Sequence, residues 1–429
     1  FVVEYLDALS RDADEAGDWP IPGGVRDLLE ARIATMHELA AQVAAAAAVL
    51  GGSFDAETVR DASGRGEEET VQALEELVEG GLIQETGEGE YEFRHEQARG
   101  LVYDSMSLAR RRLLHRRAAD ALDLRGRGGV LESQIAQHLA LGGDEVGAAE
   151  RFVAAGDYAR GLFANTEALA HYKTALALGS SDEIPLLTAI GDLEALAGDY
   201  GSALASYEQA AGAATNGQRA AIEHRIGVLH LRRGEWALAD DSLARALVEL
   251  PSDAAARALA DRSLVAHRLG DSDRAAALGE EAFELARNTG DVQALAQAHN
   301  ALGILAGTRG DHRSAIDHLE RSLELARGSG DLAAETAALS NLGLALRAAG
   351  EADRALEITR AALESCMRLG DRHREAALRN SLADLLHDAD RSDDAMDELK
   401  RAVAIFAEVG EQGRLEPEIW KLSWGLPLG

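Results

Sequence analysis

Between Pro251 and Gly410 the alternation of apolar and polar positions repeats every forty residues. The blocks begin at Pro251, Asp291, Asp331 and Asp371, and each ends in glycine. Inside a block the apolar residues fall in two runs at helical spacing, which predicts two amphipathic helices. The junctions Gly290-Asp291, Gly330-Asp331 and Gly370-Asp371 read as a C-cap followed by an N-cap. Glycine enters the left-handed conformation without steric cost, and an aspartate oxygen accepts from the free N–H groups of the next first turn. No reciprocal capping box supports the junction at Asp371, because Arg374 stands three residues on and Glu375 comes one place late. A second break bisects each block, at Gly270-Asp271, Gly310-Asp311, Gly350-Glu351 and Asp390-Arg391. Each block is therefore expected to be a pair of antiparallel helices.

Small residues recur at fixed places: Ser263, Gly303, Gly343 and Ala383 before the inner break, and Ala275, Ala315, Ala355 and Ala395 after it. A small side chain on each helix lets the two backbones approach, and Leu302, Leu342 and Leu382 fill the space between neighbours. A shorter version of the pattern continues upstream. One set is Gly227, Gly234, Trp236, Ala239 and Ala246; another is Gly191, Gly198, Tyr200, Ala203, Tyr207 and Ala210. A third is Gly156, Ala168, Tyr172 and Ala175, with Ala148 and Phe152 as an opening half-repeat. This arrangement resembles the tetratricopeptide pattern over about Leu131 to Gly410, most closely from Gly191 to Ala210, with six extra residues in each later block. A HEAT-like solenoid has a similar period but does not place glycine and alanine so regularly. The resemblance implies an α-solenoid whose hairpins hide their apolar sides only against the next hairpin, leaving a concave face on 131–410 for a protein, peptide or small effector.

Composition agrees with a folded helical chain. Of 429 residues 46% are hydrophobic and 27% charged, with six prolines and only 4% aromatics, so small-residue helix packing is expected rather than a large sandwich core. The net charge of −31 repels phosphate backbones on average but leaves room for a local basic patch. Cys366 is the single cysteine, so no intrachain disulfide or cysteine zinc cluster can form, and its helical setting predicts a small apolar filler. No apolar run is long enough to span a membrane. "FVVEYLDALSRDADEAG" has neither the basic start nor the cleavage site of a signal peptide and reads as a sequence entered in mid-helix. A cytoplasmic location is expected.

The front of the chain reads differently. "VRDLLEARIA", "TMHELAAQVAAAAAVLG", "SFDAETVRDAS" and "GEEETVQALEELVEGG" are expected helices, the third with Ser53 or Asp55 near its cap. "LIQETGEGEYEFRH" alternates around a glycine-rich turn and predicts a two-stranded hairpin. Helices followed by a hairpin are the plan of a winged helix. The helix in the recognition position carries Glu67, Glu68, Glu69, Glu75, Glu76 and Glu79, and no lysine or arginine occurs from Glu67 through Glu92. Direct DNA reading needs the opposite field, so a domain connector is expected. Arg110, Arg111, Arg112, Arg116 and Arg117 form a basic group that could bind phosphate but is read in preference as a solvated face or an intramolecular salt-bridge partner for the acidic body.

"VRDLLEARI", "AAAVLGGSFDAETV", "ALEELVEGGLI", "YEFRHEQARGLVYDSM" and "RRRLLHRRAADAL", in that order, resemble the stretch that follows the nucleotidase core in bacterial STAND-type regulators. That family includes large LuxR-type activators and AAA ATPases. The resemblance implies four segments: the end of an upstream NTPase lid or linker at 1–24, a winged-helix connector at 25–124, the repeats at 131–410, and a C-terminal cap at 411–429. Phe1 to Glu15 would be the last lid helix, and Trp420 and Trp424 would cover the final repeat. ATP and magnesium would belong to the upstream domain; no Walker loop lies in this chain, which is expected to hold no cofactor of its own. His95 is the one candidate for contact with nucleotide in such a domain.

The remaining chemistry is sparse. His37, His95, His115, His138, His171, His224 and His230 are scattered, no H-E-x-x-H occurs, and His224 and His230 stand six apart, a poor spacing for one metal. No G-x-S-x-G elbow is present. The expectation is a mainly α, non-enzymatic sensor region that controls an attached ATPase. The alternative is a free-standing tetratricopeptide adaptor.

Overall fold

In the computed structural model, residues 23–87, 89–126 and 128–409 are described, and they fall into two compact units. Among the described residues the first unit holds those up to Tyr158 and Ala170–Ser181; the second holds Ala159–Leu169 and those from Asp182 onward. The lid helix expected at Phe1–Glu15, the cap at 411–429 and its Trp420 and Trp424 lie outside the described residues.

The first unit begins with α1 (Gly23–Thr35), α2 (Glu38–Leu50), β1 (Ser53–Asp55), α3 (Ala56–Ser63), α4 (Glu67–Glu79), β2 (Ile83–Gly87) and β3 (Glu90–Phe93). It continues with α5 (Glu96–Ser105), α6 (Leu108–Asp123) and α7 (Glu132–Gly142). The alanine-rich α2 is its centre: Ala40, Val43, Ala44 and Ala46 through Ala48 are buried, and α3, α4, α5 and α6 all pack on it. A helix apolar on nearly every side is stable only when enclosed in this way.

The expected hairpin is present, with Ile83 opposite Phe93 and a bulge between Glu85 and Gly87. A third strand joins it. β1 pairs antiparallel with β3, Phe54 opposite Tyr91, to give the order β1-β3-β2. Ser53 therefore lies in a strand rather than at a helix cap, while Asp55 is the cap of α3 and accepts from the Thr58 N–H at 2.7 Å. Three residues are too few to show a period of two, so only the pairing reveals this strand.

Two further helices, α8 (Glu145–Gly161) and α9 (Asn165–Ala177), precede the second unit's row of hairpins. Within the first unit a Cβ on Gly156 would stand 2.4 Å from the Tyr172 ring, whose hydroxyl donates to Asp157 at 2.7 Å. The glycine is thus the seat of the tyrosine.

The second unit pairs α10 (Glu183–Ala197) with α11 (Tyr200–Ala213) and α12 (Asn216–Arg232) with α13 (Trp236–Ala246). Next come α14 (Ser252–Arg268) with α15 (Ser272–Thr289), α16 (Val292–Thr308) with α17 (His312–Ser329) and α18 (Leu332–Ala348) with α19 (Ala352–Leu369). The row ends with α20 (Arg372–Asp388) against α21 (Ser392–Val409). Each first helix of a pair also touches the first helices of adjacent pairs from α12 through α20, so the hairpins share one spine.

The caps form as their sequence requires. Gly290, Gly330 and Gly370 take left-handed conformations, and Asp291, Asp331 and Asp371 accept from the first-turn N–H groups of Ala294, Ala334 and Arg374. The small residues mark close approaches. A Cβ on Gly303 would sit 2.6 Å from Leu319 Cγ, and one on Gly191 would sit 2.6 Å from the Tyr207 ring. Ser263 and Ala383, which stand where the other blocks have glycine, are fully buried.

The fourth inner break departs from the others. Gly270, Gly310 and Gly350 are left-handed, and at the matching place Asp390 holds φ 58°. An L-residue pays roughly 1 kcal/mol for that conformation, less where a short polar side chain bonds locally. Asp390→Gly is therefore expected to raise the urea midpoint of the second unit slightly, with an unchanged m-value. A lowered midpoint would show that the aspartate side chain contributes more than the backbone costs.

Candidate binding groove

The first helices of the hairpins turn one face to a common concavity of about 730 Å³. From α12 it takes Ala221, His224, Arg225, Val228 and Arg232, one stripe at helical spacing, and from α14 it takes Ala254, Arg257 and Asp261. Asp192 and Leu193 of α10, Gln297 of α16 and the start of α18 at Leu332 complete it, with Arg160, Phe163 and Asn165 at one end. The concavity lies within the second unit, and these residues line it. Sequence reading did not single them out, because a groove residue and a solvent-facing residue have the same polarity on an isolated helix.

Most of its charges are already matched. Asp192 receives Arg225 Nε at 3.1 Å, Arg160 Nη2 at 3.5 Å and the Tyr207 hydroxyl at 2.8 Å. Burial, and then the neighbouring Asp192, push the Tyr207 phenol well above its ordinary value, so it remains a donor. Asp261 receives Gln297 Nε2 at 2.7 Å and lies 2.8 Å from His224 Nε2. Arg257 differs: its Nε is buried with no hydrogen-bond partner, and it has no ion pair among the described residues. A polar group left in that state favours a ligand that supplies an acceptor.

One seam closes the row upon itself. Asn165 Nδ2 donates to the Leu369 carbonyl at 2.8 Å, Arg232 pairs with Asp371 at 3.1 Å, and the Tyr200 hydroxyl bonds His373 Nδ1. These contacts join the beginning of the second unit to its last two hairpins. Asp371 is 1% exposed. Burial alone would push its carboxyl up, but Arg232, Arg374 and the Arg374 N–H together hold it below the usual range. Burial raises the Tyr200 phenol to about 12, keeping it protonated.

The other candidate residues are placed plainly. His95 is exposed at the start of α5, in extended conformation. Cys366 is buried, its thiol pushed up to about 12 by burial, and its Sγ donates to the Asp371 carbonyl at 3.3 Å; it packs and caps rather than reacts. Of the basic group on α6, Arg111 reaches Asp104 and lies over the Tyr103 ring, Arg116 donates to the Gly142 carbonyl and Arg117 to that of Ser63. Arg111 thus makes an intramolecular salt bridge, while Arg116 and Arg117 bond backbone carbonyls instead. Of the histidines that looked scattered, His115 and His138 form a pair, and His299 and His318 form another, each through Nδ1 atoms 2.9 Å apart. His224 pairs with Asp261 and His230 with Glu235. Among the described residues no group of three or more histidine, cysteine or acidic side chains could hold a metal ion, and no helix is long and apolar enough to cross a membrane.

Residues 254–328 and 335–408 match the family model described as tetratricopeptide repeat. The chain carries a tetratricopeptide repeat region. Two solved structures share the fold. One is a Signal Transduction ATPase with Numerous Domains (STAND) protein with a tetratricopeptide repeat sensor from Pyrococcus horikoshii, at 13% identity and TM-score 0.51, covering 96% of this chain. This chain spans 64% of that protein. The other is a Rap protein complexed with Competence and Sporulation Factor, at 18% identity and TM-score 0.50, covering 90% of this chain and 99% of that one. No curated protein sequence matches the chain. The tetratricopeptide region resembles the sensor part of a STAND regulator in fold.

Proposed function

We propose that the tetratricopeptide array is an interaction module that takes a protein or peptide into its groove. The observation that carries this is the concavity itself: about 730 Å³, lined by a single face of successive helices, with Arg257 unpaired inside it. The Rap protein, similar in fold and complexed with Competence and Sporulation Factor, supports a binding role for the array. A photo-crosslinking residue at Val228 or Gln297 is expected to capture a partner that the same residue at exposed Glu280 on α15 does not. Equal capture from both faces would remove the groove from the reading. Arg257→Glu is expected to weaken that capture about tenfold, the cost of replacing one charge-assisted hydrogen bond with repulsion.

A second reading is that the module acts within a STAND-type regulator. It is favoured by one observation: the fold match to the Pyrococcus horikoshii protein includes the front unit as well as the array. The order α2, β1, α3, α4, β2, β3 with its three-stranded sheet supports reading 25–124 as a winged-helix-like connector between an upstream domain and the repeats of 131–410. The exposed side of α4 presents Glu67, Glu68, Glu75 and Glu79, a surface unsuited to a DNA groove. In this reading an upstream NTPase domain would hold ATP and magnesium, with His95 on the surface facing it, and occupancy of the groove would shift the packing that restrains it. Nucleotide exchange in the full-length protein, with and without the array, tests the coupling; identical rates would leave the adaptor reading alone.

A further inference from the structure

A second concavity, of about 420 Å³, lies on the closing seam. It is bounded by the ends of α12 and α14, the start of α13 and the first turn of α20, and four arginines line it: Arg232, Arg233, Arg268 and Arg374. The only carboxylate in that lining is Asp371, which Arg232 and Arg374 share. Arg233 reaches Glu235 at 3.0 Å through Nη2, but its Nε is buried without a hydrogen-bond partner. Arg268 has no carboxylate partner among the described residues and lies with its guanidinium carbon 5.8 Å from the Trp236 ring. Four guanidiniums face two carboxylates in a chain whose net charge is −31. Two positive charges gathered in one hollow of so acidic a molecule repel one another unless an anion joins them.

We propose that this cavity binds a phosphate monoester with an apolar or aromatic body, and that the bound ester holds α20 against α12–α14. A phosphate monoester carries a charge of roughly −1.5 to −2 at neutral pH, which matches the uncompensated charge; a single carboxylate would leave half of it. Guanidinium forks fit its oxygens in paired geometry. The cavity is much larger than a phosphate group, and Trp236, Leu264 and Ile304 supply an apolar wall for the remainder of the ligand. Arg233 and Arg268 come from the second and third hairpins of the row and Arg374 from the last, so a ligand touching all three bridges the seam. Binding to the closed arrangement stabilises it by mass action. Arg232 borders both this cavity and the protein groove, and the other residues that line the two are distinct.

The test is calorimetric titration of the full chain with phenyl phosphate, inorganic phosphate and benzoate at constant ionic strength. Phenyl phosphate is expected to bind once per chain, more tightly than inorganic phosphate, which lacks the ring, and than benzoate, which lacks the second charge. Arg268→Gln alters an exposed side chain, so the melting temperature without ligand is expected to stay put while phenyl phosphate affinity falls about tenfold. Trp236→Ala is expected to weaken phenyl phosphate and leave inorganic phosphate unchanged. Absence of binding heat and of thermal stabilisation with phenyl phosphate overturns the proposal. So does an undiminished affinity in Arg268→Gln, or benzoate binding as tightly as phenyl phosphate.

Discussion

Asp371→Ala is expected to destabilise the second unit by about 3 kcal/mol, the penalty of stranding a partly buried charge together with the loss of a helix cap. The carboxylate does three things at once. It accepts from the Arg374 N–H at 3.1 Å at the start of α20, pairs with Arg232 at 3.1 Å across the seam, and lies 3.5 Å from Arg374 Nε. Its removal leaves the Arg232 guanidinium, 28% exposed, with the Tyr200 hydroxyl and water in place of an opposite charge. That residual exposure is why the expected cost lies at the low end for a broken buried pair. Asp331→Ala is the matched comparison: it removes the same cap, on α18, with no partner across the seam, and should cost about 1 kcal/mol. Urea denaturation of the two variants separates cap from seam. If Asp371→Ala costs no more than Asp331→Ala, the closing contact contributes nothing to stability.

The seam also shows what could and could not be read from sequence. The caps were legible because they are local: Gly370 and Asp371 carry their own backbone requirement whatever surrounds them. The small residues were legible because the repeat makes Gly303 and Gly343 explain one another. Nothing local distinguishes Asp371 from Asp331, yet one is 1% exposed at a closing contact and the other caps its helix and lines the main groove. Tyr200 and His373 stand 173 residues apart, and each reads as an ordinary repeat position. The same blindness hid β1, whose three residues become a strand only through Tyr91 and Glu90 of β3. It also hid the groove, because His224, Asp261 and Gln297 meet only after two turns of stacking. Repetition specifies the unit and its stacking; the places where the row meets itself depend on small rotations accumulated over every hairpin.

Acidification from pH 6.5 to 4 is expected to weaken the first unit steeply through its buried histidine pair. His115 and His138 are 3% and 8% exposed, and burial lowers both imidazoles from 6.5 to about 4, with Arg111 adding to the effect on His115. Their hydrogen bonds require the neutral forms. The Tyr103 hydroxyl lies 2.9 Å from His115 Nε2, and His115 Nδ1 lies 2.9 Å from His138 Nδ1. With the tyrosine donating, His115 carries its proton on Nδ1 and gives it to a bare Nδ1 on His138. A proton on that nitrogen would set two N–H groups against each other. The sign follows: the folded pKa is depressed, so the unfolded chain takes up protons first, and stability held above pH 6.5 is lost as the pH falls toward 4. At pH 5 each histidine lowered in this way costs about 2 kcal/mol. His299 in the second unit is also lowered to about 4, by burial and then by His318 and Arg321, and adds one further proton there. Asp371, held below the usual carboxylate range, keeps its contribution until the pH is lower still, so the two effects occupy different windows. Urea unfolding at stepped pH should show this loss, and the His115 and His138 ring proton shifts should stay flat from pH 7 to 5. Ring shifts that titrate near 6.5 would mean that the pair is open to water and that α6 and α7 are not locked by it.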